Sequence, residues 1–208
     1  MRFTLRVASG LLGIGLSVLL VPRVNAGHKE DAATAKSLAA AHAAANGDPL
    51  LEALLTELER SKDQLKMDQV APPYYIEYRV SDVQEFIAEA AFGALRENQK
   101  VHVRLLRVVV RVGDYKQDSY YGEGMGQTTI LPLDNDPIAL RRQIWLATDQ
   151  AYKDAGQALT QKQAALKQFT ADEHPVDDFA KAPVVTLVEP LASLKVDETG
   201  WKKTLEET

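Results

Sequence analysis

The chain has 208 residues, a formal net charge of −5 and no cysteine. This length suffices for one domain with a substantial core, and the lack of thiols excludes disulfides and cysteine-bound metals. An acidic chain is also a poor candidate for binding nucleic acid or an anionic membrane surface.

Residues 1–26 have the pattern of a Sec signal peptide. Arg2 and Arg6 precede an apolar run from Val7 to Leu20, and a small-residue cleavage site ends at Ala26. The run has about 14 residues where a membrane span needs about 20, so a cleaved leader is favoured over a transmembrane anchor. We therefore expect an exported protein, periplasmic or extracellular, with no stable membrane anchor after cleavage. The lack of disulfides favours a bacterial periplasm.

Residues 27–47 are rich in alanine, which favours helix locally, but contain almost no large apolar residue, which predicts a mobile linker that forms helix only transiently. His28 and His42 lie in it and are interpreted as solvated side chains. The pair Asp48-Pro49 then provides an N-cap and a first-turn proline for a helix over 48–67. Six leucines on one helical face predict a buried side, although an interaction helix has the same pattern: Leu50, Leu51, Leu54, Leu55, Leu58 and Leu65.

Three strands are predicted next, over 74–80, 83–95 and 100–115, with turns at Ser81-Asp82 and at 96–99. The alanines of the second segment favour helix, but four residues on one period-two face favour strand: Phe86, Ala88, Ala90 and Phe92. In the third strand the apolar face changes near Leu105-Leu106, which predicts a bulge or a section covered on both faces. Short polar turns between consecutive strands indicate an antiparallel meander.

A loop over 116–135 contains three closely spaced glycines, but it has neither the Gly-Lys-Ser/Thr of a phosphate-binding loop nor the dinucleotide fingerprint. Its tyrosines would line a peptide groove or, more simply, pack on their own sheet: Tyr115 (just before the loop), Tyr120 and Tyr121. The pair Asp136-Pro137 starts a helix over 136–169. Large residues recur every seven positions along it and form a face that is expected to cover the sheet: Trp145, Tyr152, Leu159 and Leu166.

Residues 170–208 are predicted to be an irregular tail that ends in a helix start. Asp197 is its expected N-cap, and Trp201 and Leu205 share one face. Because so short an amphipathic helix has little to pack on, we expect a fragment or a truncated reading frame of a longer protein. The whole pattern predicts an α+β fold in which an antiparallel β-meander of three to four strands packs against two long amphipathic helices, after a signal peptide.

No residue is predicted to be catalytic, cofactor-binding or metal-binding. His102 and His174 belong to no zinc motif, and Asp134-Asn135-Asp136 is too short for a calcium loop. His174 and its neighbours form either a weak cation site or, more simply, a solvated acidic loop: Asp172, Glu173, Asp177 and Asp178. Glu85 and Glu89 are paired carboxylates, but spacing alone does not place them across a cleft.

Three segments carry a family resemblance: PPYYIEYRV at 72–80, VVVRVGDYKQD at 108–118 and PLDNDPIALRRQIWLATDQAYKDA at 132–155. Together they resemble the N-terminal domain of TldD/PmbA-type metallopeptidase-related proteins, in the exported branch that carries signal peptides. The resemblance implies a role in peptide access and dimerisation. It also implies that zinc is bound only in a C-terminal domain with a His-Glu-x-x-x-His helix, a motif that this chain does not contain.

Two functions follow as expectations. The first is the non-catalytic N-terminal domain of an exported TldD/PmbA-like zinc metallopeptidase, partnered by a C-terminal peptidase domain or a homologous subunit. The second is a free-standing periplasmic interaction module that binds a protein or peptide through the leucine helix and the tyrosine-containing loop. Unaided peptide hydrolysis is disfavoured because no catalytic constellation is present in the sequence.

Overall fold

The computed structural model describes residues 3–9, 14–18, 29–45, 47–120, 126–168, 176–180, 182 and 195–207. Its elements are β1 (Phe3–Ser9), β2 (Ile14–Val18), α1 (Lys29–Ala45), α2 (Pro49–Gln64), β3 (Tyr75–Ala91), β4 (Ala94–Arg111), β5 (Gln127–Leu131), α3 (Pro137–Leu166) and α4 (Glu198–Glu206). The α+β class and the antiparallel sheet are confirmed. The hydrogen-bonded strand order is β1-β3-β4-β5, and β2 also pairs with β3.

The contacts within the chain divide it into two compact units. Unit 1 contains β1, the Val80–Leu105 part of β3 and β4, and α4. Unit 2 contains α1, α2, α3, β5 and the remaining ends of β3 and β4. β1 and β2 fall within residues 1–26, and the interpretation of that segment as a signal peptide stays a prediction.

The hairpin between β3 and β4 turns at Phe92-Gly93. Both residues have positive φ, 53° and 75°, which is the backbone of a two-residue type I′ turn. The strand prediction for 83–95 is confirmed as far as Ala91, whereas the turn predicted at 96–99 is wrong. Sequence reasoning missed the turn because Phe92 is not a usual turn residue. Its side chain is fully exposed, at 101% relative accessibility.

The turn predicted at Ser81-Asp82 is also wrong, since β3 continues through both residues. The Asp82 carboxylate accepts hydrogen bonds from Arg104 Nε at 3.0 Å and pairs with His102 Nε2 at 2.6 Å, both on β4. Such cross-strand pairs let a residue that favours turns occupy a strand. The hydrogen bonds and charges of His102 and Arg104 outweigh the effect of burial and lower the pKa of Asp82.

Burial along β4 shows no change of face at Leu105-Leu106. Every second residue is buried: Arg104, Leu106, Val108, Val110 and Val112, the last just beyond the strand. Arg104 occupies an inward position because its guanidinium is paired with Asp82. The predicted bulge is therefore not needed.

The helices of unit 2 begin where the Asp-Pro pairs predict. Asp48 accepts from the N–H groups of Leu50 and Leu51, and Asp136 accepts from that of Ala139 at 2.7 Å. α2 packs against α3, and the contact includes polar groups. Glu57, which is 1% exposed, accepts from Arg60 and from Arg141 Nε, each at 2.8 Å.

Several predicted boundaries and faces differ from the structure. The segment predicted as a linker over 27–47 contains α1, because alanine has the highest helix propensity and Ala45 is buried. The loop predicted over 116–135 contains β5. On α3, Trp145 and Leu166 are 38% and 47% exposed, although the heptad spacing predicted a common buried face. Trp145 instead lies under the Arg60 guanidinium, 5.5 Å from the ring centroid.

α4 confirms the predicted helix start after Asp197, whose side chain accepts from the Gly200 N–H at 2.9 Å. Within unit 1, α4 contacts the hairpin at two points. Glu198 pairs with Lys100 at 2.8 Å, and the Lys202 ammonium lies 5.2 Å from the Phe86 ring centroid. These contacts hold α4 on the β3–β4 hairpin, so the expectation that this helix has little to pack on is wrong.

We expect Gly113→Ala to destabilise the fold strongly. Gly113 has φ of 95°, and an added Cβ would clash with the Gln117 carbonyl oxygen. The combined strain and clash should cost about 3 kcal/mol of unfolding free energy. Gly47→Ala is the matched control, because Gly47 has φ of 87° but nothing within 4 Å of the added Cβ. It should cost about 1 kcal/mol, measured by urea unfolding. Equal costs for the two variants would refute the clash.

Candidate functional site

A concentration of buried polar groups lies where β4 ends and the chain turns back through residues 112–120. Asp118 is fully buried, and its carboxylate accepts from the Tyr74 hydroxyl and from the Tyr120 N–H. Arg111 Nη1 lies 3.5 Å from the same carboxylate. Burial, followed by the Asp118 carboxylate, raises the pKa of Tyr74, so its hydroxyl remains a donor.

Aromatic rings surround the Arg111 guanidinium. The centroid of Phe179 lies 3.6 Å from the guanidinium carbon, that of Tyr75 lies 5.1 Å away and that of Tyr120 lies 5.9 Å away. A guanidinium held over ring faces gains cation–π attraction and loses little freedom when it binds. Arg111 Nε is buried and has no hydrogen-bond acceptor among the described residues. We call Arg111, Asp118 and the rings of Tyr74, Tyr75, Tyr120 and Phe179 the Arg111 cluster.

A cleft of about 230 Å³ adjoins the Arg111 cluster. Its apolar lining includes Val109 of β4 and three alanines of α3, and these small side chains leave the space open: Ala151, Ala155 and Ala158. Its polar lining comprises Arg111, Ser119, Tyr120, Gln127 and Asp154. Asp154 accepts from the side chains of Gln127 and Gln150. The cleft therefore combines an apolar wall with fixed donors and acceptors, as small binding sites do.

The residues considered as candidate site residues in the sequence analysis lie in different parts of the structure. Glu85 and Glu89 are on one strand, about 13 Å apart along it, and do not form a carboxylate pair across a cleft. Asn135 has φ of 59°, and Asp134 and Asp136 serve the N-terminus of α3. Tyr115 packs against Tyr74 with ring centroids 5.2 Å apart. The described residues do not include several of the candidates: His28, Tyr121, Gly122, Gly124, Asp172, Glu173 and His174.

The interpretation of His42 as a solvated side chain is wrong, because its imidazole contacts two glutamates of α2. Its Nε2 lies 3.0 Å from a Glu59 oxygen and its Nδ1 lies 3.5 Å from a Glu52 oxygen, so it joins α1 to α2. Only the protonated imidazolium donates from both ring nitrogens. The hydrogen bond with Glu59, opposed by partial burial and reinforced by the charges of both glutamates, raises the pKa of His42.

We expect the His42 contacts to stabilise the protein in acid. Because the folded pKa is raised above the ordinary value of 6.5, the contribution is complete below pH 6.5 and is lost as the pH rises through the folded pKa. His42→Gln should therefore lower the unfolding free energy at pH 5.5, by less than about 1 kcal/mol because the pair is exposed, and should change it little at pH 8.5. A loss that is equal at both pH values would contradict this assignment.

One feature of the sequence points to the Arg111 cluster: Arg111 interrupts an apolar strand. No function was assigned to this arginine from the sequence.

Among the described ranges, no three His, Asp or Glu side chains are grouped so that they could hold a metal ion. Within the same ranges, no helix is both long and apolar enough to cross a membrane.

A scan against protein-family models and searches of curated proteins and of solved structures return no match for this chain.

Proposed function

We propose that this chain is the non-catalytic N-terminal domain of an exported TldD/PmbA-like zinc metallopeptidase, with a role in peptide access and dimerisation. Peptide-bond cleavage would be carried out by a zinc-binding C-terminal domain or by a homologous subunit. The proposal includes export, with removal of residues 1–26 and a mature N-terminus at Gly27.

The observation that carries the proposal is that the three resembling segments meet in unit 2. Tyr74 of the first segment donates its hydroxyl hydrogen to Asp118 of the second. Tyr78 of the first segment lies 2.8 Å, oxygen to oxygen, from Thr148 of the third, and both are buried. Residues separated in the sequence thus form one packed structure, which is expected if the resemblance reflects a shared domain.

The cleft supports the peptide-access role. Its volume of about 230 Å³ is smaller than the 300–1,000 Å³ typical of pockets that enclose a whole small ligand. A cleft of this size can hold one or two residues of an extended peptide whose remaining residues lie outside it. The Gln127 amide, which is held by Asp154, offers hydrogen bonds to peptide N–H and C=O groups, and the alanines of α3 accept an apolar side chain.

Site-specific cross-linking tests peptide access. A photoreactive benzoylphenylalanine at Ala158, which lines the cleft, should cross-link to peptides of reduced and carboxymethylated casein in the full-length protein. The same group at Ala164, on the exposed side of α3, is the matched control. Equal cross-linking from the two positions would show that the cleft does not receive peptides.

Mass spectrometry of the native complex tests the domain assignment. The exported protein, purified intact, should begin at Gly27 and should be bound or fused to a polypeptide that contains His-Glu-x-x-x-His and one equivalent of zinc. Peptide cross-linking without such a polypeptide would instead favour the free-standing periplasmic interaction module. A mature protein that retains residues 1–26 would refute export by cleavage.

A further inference from the structure

Residues 176–180, with the sequence Val-Asp-Asp-Phe-Ala, contact the other described residues of unit 2 through the side chains of Asp178 and Phe179. Val176 is 88% exposed and Asp177 is exposed as well. The contacts are made by Asp178 and Phe179. We call residues 176–180 the docked segment.

Asp178 occupies a carboxylate-binding position. Its Oδ2 accepts from Lys162 Nζ at 2.5 Å and from the Asp118 N–H at 2.7 Å. Lys162 Nζ also donates to the carbonyl oxygens of Asp118 and Tyr120, at 3.0 and 3.2 Å. All three N–H donors of the ammonium are therefore engaged, and its position is fixed. Burial opposes ionisation of Asp178, but the hydrogen bonds from Lys162 and from Asp118 outweigh it and lower its pKa.

Phe179 occupies an aromatic position beside it. Its ring stacks on the Arg111 guanidinium, and it meets the Tyr120 ring edge-on, at 89° and 5.9 Å between centroids. Its N–H donates to the Tyr115 carbonyl oxygen at 3.0 Å. Different groups therefore contact each part of this Asp-Phe dipeptide. Lys162 binds the carboxylate, Arg111 stacks on the ring, and the Tyr115 carbonyl accepts from the main chain.

We infer that Lys162, Arg111, Tyr120 and the main chain at 115–118 form a binding site for an aspartate–aromatic dipeptide in an extended polypeptide. The ligand is a segment of another protein with this sequence, and the docked segment is its tethered occupant. The Lys162 ammonium and the Asp118 N–H select the carboxylate. The Arg111 guanidinium selects a flat aromatic ring, and the Tyr115 carbonyl fixes the direction of the chain.

The occupant is exchangeable because its attachment is small. Within the part of the chain that the structure describes, two residues anchor the docked segment, and the Asp178 side chain is 29% exposed, so water reaches the ion pair. Local opening of so few contacts costs much less than global unfolding. A tethered occupant nevertheless acts at an effective concentration in the millimolar range, which weakens binding of any peptide in trans. Removing the two anchoring side chains therefore unmasks the site.

Fluorescence anisotropy with a labelled peptide tests this inference. The probe is fluorescein-labelled Val-Asp-Asp-Phe-Ala-amide, and the protein is the full-length chain with Asp178→Ala and Phe179→Ala. We expect saturable binding to this double variant and at least about tenfold weaker binding to the unsubstituted protein, whose site is occupied. A probe with alanine in place of its second aspartate and its phenylalanine should not bind.

A third substitution locates the binding. Lys162→Ala added to the double variant should weaken binding at least about tenfold, since it removes the charged partner of the aspartate. Lys167→Ala, which removes an exposed lysine near the end of the same helix, should leave binding unchanged. Equal effects of the two lysine substitutions would show that the peptide is held by charge alone, and the site would be refuted.

Two results would overturn the inference directly. One is equal affinity of the probe for the unsubstituted protein and the double variant, and the other is no binding to a double variant that melts like the unsubstituted protein. If the double alanine variant does not fold, Asp178→Asn with Phe179→Leu replaces it, with the same expectations. This test does not depend on a zinc-bearing partner, so its failure leaves the proposed function standing.

Discussion

Asp118→Ala is expected to lower the free energy of unfolding by about 3–5 kcal/mol, because it removes one partner of a buried ion pair. The Asp118 carboxylate is completely buried. Its loss deprives the Tyr74 hydroxyl of its acceptor and leaves the Arg111 guanidinium without its carboxylate. Equilibrium unfolding in urea measures the effect, provided that the slope with denaturant stays unchanged.

Two further variants separate the contributions at this position. Tyr74→Phe removes one donor and keeps the carboxylate paired with Arg111, so it should cost only about 1–2 kcal/mol. Asp118→Asn keeps the shape and removes the charge, and its cost should fall between those of the other two variants. A cost below about 1 kcal/mol for Asp118→Ala would mean that the carboxylate does not organise this part of unit 2.

The second large effect is expected at Glu57, where α2 meets α3. Replacing both Arg60 and Arg141 by alanine leaves a carboxylate that is 1% exposed without either of its cations. Breaking a buried pair in this way costs about 3–5 kcal/mol, and we expect about 3 kcal/mol because both arginines are partly exposed and water can replace them. Thermal and urea unfolding of the double variant measure the loss.

The control for this experiment removes the buried charge first. In a Glu57→Leu background the two arginines have no buried partner, so the same pair of alanine substitutions should cost less than about 1 kcal/mol. The difference between the two backgrounds is the interaction energy of the cluster. If the arginine substitutions cost the same in both, their contribution is packing, for example of Arg60 on Trp145, rather than pairing with Glu57.

The parts of the fold that were predictable from the sequence depend on local signals. The Asp-Pro pairs at 48–49 and 136–137 fix two helix starts, since capping and the fixed φ of proline act within one turn. The errors lie where partners distant in sequence decide the outcome. Ser81-Asp82 favours a turn locally, but pairing of Asp82 with Arg104 keeps it within a strand. Likewise, α1 is held by His42 contacts to α2 that its alanine-rich composition does not reveal.

The candidate site was much less predictable than the fold. Arg111, Lys162 and Phe179 come from different elements and loops, and no spacing rule brings them together. An arginine at the end of an apolar strand indicates a binding site only when aromatic rings surround it. Those rings come together only in the folded protein, so the sequence does not reveal them. Phe179 lies in the segment predicted to be an irregular tail, next to residues interpreted as a solvated acidic loop, and no sequence pattern distinguishes its ring from a solvated one.

The Phe92-Gly93 turn also has a consequence for how the chain folds. β3 and β4 have 17 and 18 residues, and just two residues join them. Pairing can therefore start beside the turn and proceed outward with almost no loop-closure cost, on the microsecond scale of isolated hairpins. This order would fix the alignment of both strands early. The slower step would then be the packing of α3 on α2, because these two helices are far apart in the sequence.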